Sequence, residues 1–135
     1  MSRYDALVDQ LRANLARIPD ERRLIALRDA LGQLEESVLA VDDTGHYVGF
    51  SPRALAMTGY DADELLQMSV IELTPIPSTA DGRELWAAFM RTGRQRGTYE
   101  LRYKGGNPVA VRYWAYAGVI PGVHLSFLEI GRAHV

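Results

Sequence analysis

Apolar residues in the N-terminal part of the chain recur at the spacing of α-helices. One face of a predicted helix over residues 3–18 carries Tyr4, Leu7, Val8, Leu11, Leu15 and Ile18. After Pro19, a second helix is predicted to begin with Asp20 as its cap and to carry the leucine stripe Leu24, Leu27, Leu31 and Leu34. This stripe either packs on its own domain or pairs with a second subunit, because so short a heptad pattern does not identify a coiled coil.

The apolar pattern changes to that of β-strands at Ser37. Residues 37–50 predict two strands joined by a turn, in which Gly45 can adopt a positive φ without steric cost. Residues 98–104, 109–119 and 121–128 predict three more antiparallel strands. Apolar and polar residues alternate cleanly along the first, and turn residues separate it from the long second strand and the second from the last.

Helices are predicted between these two groups of strands. Pro52 begins a short helix, and Asp61 and Glu64 form a capping pair for the next one. The longest helix of this region is predicted over residues 79–92. Strands at both ends of a helical region indicate an α+β fold rather than an α/β fold.

The composition is that of one ordinary folded domain. The chain has 135 residues, of which 47% are hydrophobic and 24% charged, so it can bury a core. A net charge of −2 gives no concentrated basic surface for nucleic acids or anionic membranes. The chain has no apolar run close to the roughly 20 residues that span a bilayer, and its N-terminus does not resemble a signal peptide. We therefore expect a cytoplasmic domain without membrane or direct nucleic-acid contacts.

The ordered set of motifs resembles the Per-Arnt-Sim (PAS) domain family over about residues 36–128. The resemblance is strongest in VDDTGHYVGFSPRALAMTGYDADELLQMSV and YELRYKGGNPVAVRYW. These segments follow the family order of strand, D-x-x-G, strand, S-P, short helix, G-Y, a helix with E-L-L, and a glycine hairpin before a long strand. The resemblance implies a five-stranded antiparallel sheet with short helices across one face. It also implies a sensory or dimerisation module of a signalling protein.

Two features depart from the family pattern. K-G-G stands at residues 104–106 in place of K-D-G, and E-I-G stands at residues 129–131 in place of the D-I-T that commonly leads to an effector. EIGRAHV is also the translation of a widely used sequencing-library adapter, GAG-ATC-GGA-AGA-GCA-CAC-GTC, which a stop codon follows. We therefore expect a helical extension over residues 1–35, a sensor domain over 36–128 and a non-native tail over 129–135, in place of an exit to an output module.

A ligand pocket is predicted between the sheet and the short helices. Strand alternation and the family comparison give its candidate lining as Leu39, Val41, Phe50, Leu85, Phe89, Tyr99, Leu101, Tyr103, Val111, Tyr113, His124 and Ser126, with Val48, Val109 and Ala115 beside them. An apolar member of this set is more often plain core than a ligand contact. The polar members, Tyr113, His124 and Ser126, require hydrogen bonds from protein, water or ligand.

The opposite face of the sheet is predicted to need a cover. It carries Trp114, Tyr116, Leu125 and Phe127, which together would form a large exposed apolar patch. The leucine stripe of the second helix is the natural cover, from the same chain or from a partner. Because many PAS proteins dimerise in this way, we expect a homodimer.

Candidate catalytic and metal-binding residues are few. His46, His124 and His134 are widely spaced, and in a chain without cysteine they form no metal-ligand set or nucleophile–base pair. The helix over residues 79–92 lacks the histidine that usually holds haem in haem-binding PAS domains. The chain also lacks the cysteine of LOV flavin photosensors, so both cofactors are disfavoured and no particular cofactor is predicted.

The sequence therefore predicts a sensory input domain that responds to a small-molecule or redox-type signal, and not an enzyme. One alternative is a ligand-free PAS module that mediates dimerisation or partner binding. The other is a small α+β enzyme, which would need a buried carboxylate that the inward set lacks.

Overall fold

The structure is a computed structural model that describes residues 3–73 and 79–131, and of residues 79–81 only the backbone. This part of the chain forms one antiparallel sheet and six helices. The elements are α1 (Asp5–Leu15), α2 (Asp20–Gly32), β1 (Ser37–Asp42), β2 (Tyr47–Phe50), α3 (Pro52–Thr58), α4 (Ala62–Leu65), α5 (Val70–Leu73), α6 (Thr79–Thr92), β3 (Arg94–Arg102), β4 (Pro108–Ile120) and β5 (Val123–Ile130). The strands pair antiparallel in the order β2-β1-β5-β4-β3, which confirms the predicted α+β fold. Among the described helices, none has the length and apolar composition needed to cross a membrane.

Turn and capping residues set the limits of the short helices. Pro52 occupies the first turn of α3, where its missing N–H costs no hydrogen bond. Gly59 ends α3 in the left-handed conformation with φ of 79°. Asp61 and Glu64 form the predicted capping box of α4, because each side chain accepts a hydrogen bond from the other residue's backbone N–H. At α2, the cap position is Pro19 and not the predicted Asp20.

The helices α1 and α2 cover one face of the sheet, which we call the outer face. The outer cluster contains Val8, Leu11, Leu15, Leu27 and Leu31 from the helices and Val38, Ala40, Tyr116, Val119, Ile120, Val123, Leu125 and Phe127 from the sheet, with Leu24, Leu34 and Trp114 packed against it. The predicted leucine stripe and the predicted outer face therefore meet within one chain. Their burial supplies the apolar contact that holds the helical extension to the sheet.

Polar contacts also fix α1 on the sheet. The carboxylate of Asp5 accepts a hydrogen bond from the hydroxyl of Tyr116 at 2.9 Å and forms an ion pair with Arg94. Near the other end of α1, Arg12 donates to the backbone carbonyl of Ala117 at 2.8 Å. These directional contacts connect α1 to β3 and β4, so they set its position along the strands as well as its distance from them.

A bulge in β2 changes the predicted direction of one side chain. Ala40 pairs with Gly49 and Val41 pairs with Tyr47, so Val48 is an extra residue between the two pairs. Tyr47 points to the opposite face, whereas Val48 packs against the outer cluster. The inward position predicted for Val48 is therefore wrong, because the bulge breaks the strict alternation on which it depended.

The last strand extends beyond the predicted domain limit at residue 128. In β5, Glu129 pairs with Arg112 of β4 and also forms an ion pair with its guanidinium at 3.2 Å. Residues 132–135, which include the candidate His134, lie outside the described residues. The origin of the 129–135 segment stays a prediction.

Gly59→Ala is expected to destabilise the domain more than Gly93→Ala. Both glycines have φ near +78°, so alanine costs about 1–2 kcal/mol of backbone strain at either position. A Cβ at Gly59 would also lie 2.6 Å from the Tyr103 ring, whereas none of the described atoms lies within 4 Å at Gly93. Displacing that ring should cost about 1 kcal/mol more. Urea unfolding of both variants measures the difference, and equal losses would contradict the close approach of Tyr103.

Candidate ligand-binding site on the inner face

Much of the predicted pocket lining is a close-packed core. On the inner face, which α3 to α6 cover, the buried cluster contains Leu39, Val41, Tyr47, Ala54, Leu65, Leu73, Leu101, Val111 and Leu128, with Phe50, Tyr99, Val109 and Tyr113 packed against it. Leu39, Leu101 and Val111 are at most 2% exposed. These side chains fill the space between the sheet and the short helices, so their first role is to form the core.

A row of residues on the inner face beside α6 keeps partial exposure. Gln95, Ala115 and Ser126 are neighbours in one row across β3, β4 and β5. All three are half-buried, although Ser126 lies on the central strand of the sheet, next to the fully buried Leu39 of β1. A central-strand residue keeps partial exposure only where no large side chain covers it. This row is where a small molecule could lie against the sheet.

Hydrogen-bonding groups border this row. The hydroxyl of Tyr113 donates to Oε1 of Gln95 at 2.9 Å, and Nε2 of Gln95 donates to the carbonyl of Leu85 at 3.2 Å. The Tyr99 ring lies 5.4 Å from the Tyr113 ring. Burial raises the pKa of Tyr113, so its hydroxyl stays protonated and neutral. The border therefore offers neutral donors and acceptors beside aromatic surface.

His124 is buried on the inner side of β5 and has two protein partners. Its Nδ1 accepts a hydrogen bond from the N–H of Gly118 at 2.9 Å, so the ring proton is on Nε2, which donates to the carboxylate of Asp43 at 2.8 Å. The rings of Trp86 and Phe89 meet it edge to face at 6.0 and 5.7 Å. Gly118 lies where the pairing of β4 with β5 is irregular, between Tyr116 and Ile120. Because both ring nitrogens are engaged, His124 joins the β1–β2 turn to this part of β4 and offers no free nitrogen to a ligand.

Two residues predicted to point into the pocket do not do so. Leu85 is 52% exposed, because α6 turns Trp86 and Phe89 to the sheet instead. Tyr103 is 38% exposed, because β3 ends at Arg102 and the next residue leaves the strand to cover Gly59.

The sequence prediction missed Gln95 as a residue of the candidate site, since β3 was predicted to begin only at Thr98. The sequence does contain a pattern that could have extended β3 to residue 94. Arg94, Arg96 and Thr98 alternate with Gln95, Gly97 and Tyr99, as residues on the two faces of a strand do.

A separate cleft of about 420 Å³ lies near the end of β5. Its lining includes Tyr4, Glu36, Arg53, Met57, Leu128 and Glu129. Burial and the hydrogen bond to Glu129 raise the pKa of Tyr4 well above its usual range. The lining of the cleft reaches Leu128, two residues from Ser126, but it contains none of the residues predicted for the pocket. In residues 3–73 and 79–131, no group of three His, Asp or Glu side chains could hold a metal ion.

The sheet order and the helices on its inner face agree with a known family. The model of the PAS fold matches residues 26–116, from α2 into β4. The chain belongs to the PAS fold family. The residues that the family model matches do not include α1 or β5, although both pack in the same outer cluster. PAS domains are in general sensory modules rather than enzymes.

Solved PAS domains have the same fold. A PAS domain from Desulfitobacterium hafniense matches with a TM-score of 0.67 and 16% identity, over 76% of this chain and 99% of that chain. The PAS domain of a two-component sensor histidine kinase matches with a TM-score of 0.67 and 12% identity, over 84% and 100%. A Rhodobacter sphaeroides LOV protein matches with a TM-score of 0.69 and 17% identity, over 85% and 70%. At these identities the likeness concerns the PAS fold alone. No curated protein matches the sequence.

Proposed function

We propose that this PAS domain is a cytoplasmic input module that binds an uncharged small molecule between the inner face and α6. The observation that carries the proposal is the half-buried row of Gln95, Ala115 and Ser126. The row combines space with the neutral hydrogen-bonding groups of Gln95 and Tyr113. A ligand with a flat apolar body and a polar edge would match these surfaces, because aromatic side chains and neutral donors recognise these two features.

The strand β5 provides a path from the ligand to the outer face. His124 and Ser126 face the inner side, whereas Leu125 and Phe127, which alternate with them, pack under α1 and α2. A ligand that moves β5 would therefore change the contacts of α1, provided that it binds the two arrangements with different affinity. The change would pass to an effector joined after β5, in a two-component or transcriptional regulator.

Ala115→Phe is expected to abolish ligand retention and leave the domain folded. The phenyl ring would fill the row beside Ser126, so a bound molecule should be lost or bind at least about tenfold more weakly. Native mass spectrometry of the purified protein measures retention, and thermal unfolding reports on the fold. Ala87→Phe is the matched control, because Ala87 is exposed on α6 and lies outside the row.

A ligand-free PAS module remains the second candidate. The observation in its favour is the close packing of the inner cluster around Leu39, Leu101 and Val111. If the wild-type protein carries no molecule and Ala115→Phe stabilises it, the space at the row is an unfilled packing defect. That result would support the scaffold function and contradict the sensory one.

A further inference from the structure

The strand β3 ends the sheet and has one edge without a pairing strand in the part of the chain that the structure describes. The N–H of Ala117 donates to the carbonyl of Gly93 at 2.9 Å. This hydrogen bond determines which residues of β3 direct their main-chain groups toward β4 and which direct them away. Antiparallel residues alternate in the direction of their main-chain groups, so those of Arg94 point away from β4. The hydroxyl of Thr92 donates to the Arg94 carbonyl at 2.8 Å from the side away from β4, in agreement with this alternation. By the same alternation, the main-chain N–H and C=O groups of Arg96, Thr98, Glu100 and Arg102 point away from β4.

The side chains along this edge carry opposite charges at symmetric positions. Arg96 and Glu100 flank Thr98 at equal distances, and all three are exposed. Within the described residues, Arg96 and Glu100 form no ion pair, whereas the neighbouring Arg94 forms one with Asp5. A row of free charges on an edge strand usually prevents pairing with other strands. Here it permits pairing with a strand that has the reversed order of charges.

We propose that the β3 edge binds the β3 edge of a second copy of this chain, antiparallel about a two-fold axis at Thr98. In this register Arg96 lies opposite the partner's Glu100, and the symmetry makes the pair twice. Thr98 faces its own copy in a pair that exchanges both main-chain hydrogen bonds. On the inner side, Tyr99 lies opposite the partner's Gly97, which the Tyr113 ring of its own copy covers, so the two rings would meet at the edge of the interface.

The interface is weak and sensitive to salt. Arg94 would lie opposite the partner's Arg102, and the ion pair between Arg94 and Asp5 reduces that repulsion. Strand pairing alone buries less than about 1,200 Å² in total, the range of transient complexes. We expect a dissociation constant on the order of 10–100 µM that rises with ionic strength. Dimerisation through this edge does not require a bound ligand. Gln95 and Tyr99 belong both to β3 and to the candidate ligand-binding site.

Charge reversal tests the register. Arg96→Glu and Glu100→Arg should each weaken self-association at least about tenfold in sedimentation equilibrium, because each replaces two attractive pairs with two repulsive ones. An equimolar mixture of the two variants should restore the dimer, since every Glu then faces an Arg. The double variant Arg96→Glu/Glu100→Arg should also restore it.

A backbone test is independent of charge. Thr98→Pro removes an N–H that points away from β4, so the β3–β4 ladder stays intact and only the dimer should be lost. Thermal unfolding of each variant checks that the monomer is folded. A wild-type protein that is monomeric throughout the concentration range, or single variants that associate like the wild type, would overturn the proposal. Binding of a polyglutamate peptide that Glu100→Arg strengthens, without dimerisation, would assign the edge to an acidic partner instead.

Discussion

Phe127→Ala is expected to lower the free energy of unfolding by about 3–5 kcal/mol. Phe127 is 0% exposed and lies on β5 beneath α1. Its ring stacks on Tyr4 with 4.2 Å between centroids and meets the edge of Tyr116 at 5.8 Å. Alanine would leave a cavity between the sheet and the helix, because both neighbours are also held by polar contacts and cannot close over it. Urea unfolding monitored by circular dichroism measures the loss.

A matched control and a double-mutant cycle make this result specific. Ile25 is 60% exposed on α2, so Ile25→Ala should change stability by less than about 0.5 kcal/mol. The coupling between Tyr4→Ala and Phe127→Ala should be about 0.5–1.5 kcal/mol, as for other aromatic pairs. A Phe127→Ala loss no larger than that of Ile25→Ala, with no coupling to Tyr4, would mean that α1 does not pack on this sheet.

His124→Leu is expected to lower the free energy of unfolding by about 2–4 kcal/mol. Leucine replaces part of the ring volume but leaves the N–H of Gly118 without its acceptor in a partly buried site. It also breaks the connection from Asp43 in the β1–β2 turn to β5. Thermal and urea unfolding measure the change.

Two further substitutions separate the contacts of His124. His124→Asn keeps an acceptor that can reach Gly118, so it should recover part of the loss. Asp43→Asn keeps the oxygen that accepts from Nε2 and its side chain is 63% exposed, so it should cost less than about 1 kcal/mol. If His124→Leu is as stable as the wild type, the two hydrogen bonds do not contribute to the fold. If it is stable but loses a ligand, His124 contacts the ligand.

Features that depend on neighbouring residues could be predicted well. The helix over residues 79–92 has the predicted limits, and Pro52 and the Asp61–Glu64 capping box have the predicted roles. Each follows from periodicity or backbone chemistry within a few residues. The PAS fold could be predicted for the same reason, because the order of these local signals is characteristic.

Features that depend on which surfaces meet could not be predicted in this way. The broad apolar face of α6 contains both Leu85 and Trp86, and only its packing angle on the sheet turns Trp86 inward. The bulge at Val48 arises from the pairing of β2 with β1, which the sequence of either strand does not specify. Tyr103 continues the alternation of β3 in sequence, but it leaves the strand to cover Gly59.

By itself, the sequence determined the type of every described element except the short helix α5, the order of the strands and longer helices along the chain, and the two apolar faces of the sheet. These depend on local periodicity and turn chemistry, which act over a few residues. The tertiary structure alone decided that α1 and α2 of the same chain cover the outer face. It also decided that His124 bonds to Asp43, 81 positions away, and that no strand of the described residues pairs with the outer edge of β3. These results depend on contacts between distant segments, whose free energy is set by the shape and position of both partners and not by either segment alone.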